Sequence, residues 1–78
     1  MNEDMARIIA TAGLRAAREL GDLFPLLAEH CPDNNQLRLG LAAAIAEIGV
    51  ATLDPAFAAF PSLKQEFDQR INRYGRAT

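Results

Sequence analysis

Leu37–Leu53 reads LRLGLAAAIAEIGVATL, seventeen residues with only two charges, Arg38 and Glu47. Wound as a helix at about 100° per residue, its large side chains fall on two opposite faces. Leu37, Leu41, Ile45 and Ile48 form one face; Leu39, Val50 and Leu53 form the other. Strips of small residues separate them, Gly40, Ala44 and Ala51 on one side and Ala42, Ala46 and Gly49 on the other. A helix that is apolar on both faces has to be buried from both sides. In 78 residues that is hard to arrange without a partner.

The rest of the chain is helical in pattern, with no period-2 alternation. Asn2 is placed to cap a first helix over 3–20, with Glu3 and Asp4 in its first turn, where the helix dipole favours acids. Met5, Ile8, Ile9, Ala12, Ala16 and Leu20 follow the spacing of a core-facing stripe. Ala6, Ala10, Ala17 and Leu14 widen the apolar arc, and Gly21 marks its end. Asp22 is a cap candidate for a short helix that carries Leu23, Leu26 and Leu27, tolerates Pro25 in its first turn and stops at Pro32. Asp33 with Gln36 resembles a capping box and starts the central helix, 34–53. Asp54-Pro55 then reads as the cap and first residue of a new short element holding Phe57 and Phe60. After Pro61, Ser62 with Gln65 is a second capping-box candidate. Leu63, Phe67, Ile71 and Tyr74 form the stripe of a last helix, 62–74, and Glu66 stands four residues before Arg70. Gly75 is the expected C′ residue, and 76–78 are expected to fray. The expectation is therefore all-α: one domain over 1–78, a small compact bundle of three main helices and two short ones.

Composition narrows the function classes. A chain of this size needs a supplement to its core. One cysteine, Cys31, excludes an internal disulfide, and one histidine, His30, leaves too few soft ligands for structural zinc. Oligomerisation remains. The net charge of −2 is split unevenly: 1–61 carry eight acids against four arginines, 62–78 four cations against two acids. That is a weak basic end rather than a basic domain. The Leu39–Leu53 run is short for a membrane span and holds Glu47 at mid-length, so no membrane crossing is expected and a cytoplasmic location is. Fifteen alanines, and seven arginines to one lysine, suggest a GC-rich bacterial gene.

Chemistry-bearing residues are sparse. Cys31 sits at an expected helix C-terminus, where the dipole opposes a thiolate, and its neighbour His30 points about 100° away. Asp22, Asp33 and Asp54 are accounted for as caps, and Glu47 as the solvated edge of the central helix, with no second acid at i+3 or i+4. No phosphate-binding loop is present. A helix-turn-helix reading of 42–60 fails because TLDPAFAAF lacks base-reading side chains. No enzyme, cofactor or metal site is expected. The aromatic set, Phe24, Phe57, Phe60, Phe67 and Tyr74, reads as core filling ahead of an enclosed ligand pocket.

Two surfaces stand out. Gly40, Ala44 and Ala51, with Leu14 opposite the main stripe of the first helix, are candidates for a contact with another helix. Arg7, Arg15 and Arg18, joined by Arg70 and Arg73 if the terminal helices are neighbours, are candidates for an anionic partner. The sequence thus points to a small self-associating interaction protein, a homodimer or one bound to another protein. A nucleic-acid-binding accessory protein is the alternative.

Overall fold

In the computed structural model, which describes all residues 1–78, five α-helices follow one another with no strand: α1 Glu3–Gly21, α2 Leu23–His30, α3 Asn35–Ile48, α4 Asp54–Ala59 and α5 Pro61–Tyr74. Between α3 and α4 lies a π-helical turn, Gly49–Leu53. The protein is all-α, with three main helices.

Local chemistry explains most of the boundaries. Asn2 caps α1 as expected, its Oδ1 accepting from the Met5 N–H at 2.8 Å. Gly75 ends α5 in the left-handed region, at φ 74°. Four expected caps are corrected, Asp54 among them with the central helix below. Asp22 continues in helical geometry and makes no side-chain cap bond. Asn34, not Asp33, caps α3, accepting from the Leu37 N–H at 3.0 Å. α5 begins at Pro61, one residue ahead of Ser62, without a side-chain cap, because proline fits the first helical position unaided.

The central helix does not end at Leu53. α3, the π turn and α4 form one continuous helix, Asn35–Ala59, and Asp54 lies within it rather than capping a new element. Pro55 has no N–H and its ring crowds the carbonyl four residues back. The π turn opens the helix there, with the Asp54 N–H donating to the Gly49 carbonyl, five residues back. One extra residue in a turn rotates everything after it by about 100°. Leu53, which an uninterrupted helix would place with Leu39 on the outer face, is turned inward and packs on the core. Ala56, Phe57 and Phe60 thereby continue the inward stripe of Leu41, Ile45 and Ile48.

α1 runs antiparallel to this long helix, and its packing face corrects the expected one. The buried residues are Ala6, Ala10 and Gly13, while Met5 and Ile8 from the stripe of larger side chains are 46% and 61% exposed. Close approach decides the choice. A Cβ on Gly13 would lie 2.8 Å from the Cβ of Thr52, so the Thr52 side chain packs directly on the α1 backbone where only glycine fits. Thr52 is held by its hydroxyl donating to the Ile48 carbonyl at 2.5 Å.

The core gathers Ala6 and Ala10 of α1, Ala56 of α4, and Leu63 and Phe67 of α5. Phe57 meets Phe67 edge to face, centroids 5.6 Å apart. Leu14, Phe60 and Ala77 pack around this cluster. Ile71 and Tyr74, at the far end of the expected α5 stripe, are exposed. Residues 76–78, expected to fray, lie back along α1, with the Arg18 guanidinium donating to the Thr78 hydroxyl at 3.4 Å. The core occupies one end only. α2, the 31–34 loop and α3 contain no fully buried residue. The molecule is a slab of 43 × 25 × 14 Å, hardly thicker than one helix with its side chains.

Candidate functional site

The feature with the widest functional reach is the long helix itself. Its inward stripe faces α1, and its other side meets nothing. Leu39 is 60% exposed and Val50 56%, with Ala42, Ala43, Ala44 and Ala46 open between them. Leu37 is exposed at the start of the helix, Leu23 and Leu26 on α2, and Met5 and Ile8 on α1. The total accessible surface is 5415 Å², whereas a folded chain of this mass ordinarily exposes about 4,700 Å². The radius of gyration, 14.3 Å, likewise exceeds the roughly 11.5 Å of a compact domain of this length. The apolar surplus read in Leu37–Leu53 is thus left uncovered by the chain's own fold.

Three of the four candidate contact residues are exposed on the strip that flanks this open side. Gly40, Ala44 and Ala51 are exposed, and a Cβ added at Gly40 would meet nothing within 4 Å. Leu14 does not join them. It faces the core cluster and the C-terminal tail, lining a small cleft with Arg18, Ile71 and Ala77. The periodicity of α1 is ambiguous because two of its arcs are apolar, and Leu14 belongs to the inner one.

The same helix meets the length requirement for crossing a membrane. Asn35–Ala59 spans 25 residues with a sufficiently apolar composition, and almost none of it is buried in the fold. The reading of a short Leu39–Leu53 segment is corrected by the continuity of α3 through the π turn into α4. Glu47 remains exposed at its middle.

The arginines are divided by a carboxylate. Glu66 of α5 receives a two-pronged contact from Arg7 of α1, Nε at 3.2 Å and Nη2 at 3.4 Å, and Arg70 approaches it at 3.4 Å. Arg7 also reaches Glu3 at 3.3 Å and Asp4 at 3.5 Å. The hydrogen bond from Arg7 holds the Glu66 carboxyl below the usual carboxylate range, with the Arg7 and Arg70 charges adding to it against partial burial. The same bond raises Arg7. The terminal helices are therefore neighbours, but Arg7 and Arg70 are joined in an ion-pair network. Arg15 and Arg18 carry no carboxylate partner, and Arg73 lies 5.8 Å from the ring centroid of Tyr74. A shallow groove beside Arg7, Thr11 and Arg15 contains the acid Asp4 as well.

Cys31 is exposed at the C-terminus of α2. His30 lies 3.9 Å from Glu29. No three of the histidine, cysteine and acidic side chains are grouped to hold a metal ion. Phe57 and Phe60 pack on the core cluster rather than around a cavity. Compared with protein-family models, curated proteins and solved structures, the chain matches none.

Proposed function

We propose that this chain is a small, non-catalytic interaction protein that self-associates through the uncovered apolar side of the helix Asn35–Ala59. One observation carries the reading: the long helix is packed on one face and bare on the other, where Leu39 and Val50 stand exposed across a run of alanines. Surplus surface of about 700 Å² supports it, being close to the roughly 800 Å² per partner of a standard interface. A cytoplasmic setting and a bacterial source belong to the same proposal and rest on composition alone.

The test is mass in solution by light scattering coupled to size exclusion, at two concentrations about tenfold apart. A stable dimer or larger species is expected. A monomer at both concentrations overturns the reading.

A second reading is favoured by the length of the same helix: insertion into, or adhesion to, a lipid bilayer. Glu47 at mid-helix opposes full insertion, since an acid at the bilayer centre costs about 2.5–3.5 kcal/mol even on insertion scales. Flotation with phosphatidylcholine vesicles distinguishes the two. Nucleic-acid binding stands behind both, because Glu66 engages Arg7 and Arg70 and leaves Arg15, Arg18 and Arg73 as the contact set. It predicts binding that weakens steeply with salt and drops on Arg15→Ala with Arg18→Ala.

A further inference from the structure

We infer that two copies meet antiparallel along Leu39, Ala43, Ala46 and Val50, on a two-fold axis level with the Ala44–Ile45 peptide. The inference rests on the self-association reading and adds its partner, face and register. All four side chains lie on the bare side of the helix. Their spacing is four, three, four, the seam of a left-handed helix pair.

The seam is also a palindrome in size: large, small, small, large. Any helix can face a parallel copy of itself in register, so a parallel pair does not call for such symmetry. An antiparallel two-fold pair requires the surface to be its own complement on reversal. In that pairing Leu39 meets the partner's Val50, and Ala43 meets the partner's Ala46. Two alanine layers at the centre allow the axes to approach to about 8 Å, the close end of the usual range. Opposed helix dipoles favour the same orientation. Arg38 and Glu47, nine residues apart, fall about 180° from one another around the helix, one at each rim. Both keep their water, so the pairing buries no charge.

The occupant is a second copy because the face is self-matched and because the chain as a whole exposes about 700 Å² more than a compact fold of its mass, near one partner's share of a standard interface. The seam also lies away from the core at α1, α4 and α5, so pairing there disturbs none of the intrachain packing.

The experiment uses the full chain with Cys31→Ser, made as two variants, Leu39→Cys and Val50→Cys. They are treated with a short bis-maleimide, separately and mixed. Linked dimer is expected only in the mixture, since the two copies of position 39 are separated by about 16 Å along the axis. Efficient linking of Leu39→Cys with itself overturns the antiparallel register. Dimer by light scattering without linking in the mixture overturns the face and leaves self-association standing. A monomer throughout overturns both. Ala43→Glu gives an independent check in which folding is not at stake, because position 43 is exposed. It should raise the dissociation constant at least a hundredfold with an unchanged helical circular dichroism spectrum, while Gln69→Ala leaves the dimer intact. An unchanged dimer in Ala43→Glu overturns the proposed seam.

Discussion

Two glycines of this chain have opposite roles. Gly13 is where α1 touches the long helix, with Thr52 occupying the space a Cβ would need. Gly40 lies in mid-helix with nothing within 4 Å of the corresponding position. Alanine in a helix interior ordinarily gains about 0.5–1 kcal/mol over glycine. Gly40→Ala should therefore raise the melting temperature. Gly13→Ala should lower it, because overpacking costs about 1–3 kcal/mol and outweighs the helix gain. Thermal unfolding followed by circular dichroism at one low protein concentration checks both signs. Glu66 provides a second prediction at this scale. Its carboxyl titrates lower in the folded chain, so its pairing with Arg7 stabilises the fold fully above the ordinary carboxylate range. That contribution is lost as pH falls through the lowered value. Glu66→Gln should flatten the part of the stability loss that this carboxylate causes below about pH 4.5; urea melts at pH 7, 5, 4 and 3 measure it.

At the scale of the element, the helices are legible in the sequence and their phases are not. Asn2 and Gly75 mark ends that physical chemistry makes nearly obligatory, and the spacing of Leu63 and Phe67 marks a packed face; Gly21, where α1 does end, keeps helical geometry and hands over to α2 through Asp22. In α1, Met5, Ile8 and Ala12 form as good a stripe as Ala6, Ala10 and Gly13. Periodicity ranks the two by size, whereas packing ranks them by how closely the backbones can approach. The π turn is hidden for another reason. Asp54-Pro55 has the same local signature whether it opens a helix or sits inside a widened one, and only the neighbours of Leu53 and Ala56 decide. The bare side of the helix, by contrast, is written in the two-faced pattern of Leu37–Leu53. The π turn itself makes a prediction. If its extra residue sets the phase of α4, deletion of Ala51 combined with Pro55→Ala should give a regular helix with Leu53, Ala56 and Phe60 still inward. That variant should retain cooperative unfolding in a thermal melt. An alanine inserted between Leu53 and Asp54 should rotate Ala56 and Phe60 off the core and abolish that cooperativity.

The whole molecule has its fully buried side chains at one end, and that makes it fragile there. Leu63→Ala should cost about 2–5 kcal/mol, a large share of what a chain this small can hold. Association adds to that stability only when copies are present to associate. The melting temperature should therefore rise with protein concentration, and the Ala43→Glu variant should melt at one temperature at every concentration. The placement of the core has a temporal side as well. Ala6 and Ala10 come from the start of the chain, while Leu63 and Phe67 come from its last quarter, and Arg7 waits for Glu66 across 59 positions. During synthesis the N-terminal helix and the long apolar helix emerge before the residues that seal them together. For that interval the surfaces of α1 and α4 that Leu63 and Phe67 will cover, Ala6, Ala10, Ala56 and Phe57 among them, are open to any surface nearby, and the nascent chain depends on its surroundings before it can depend on itself.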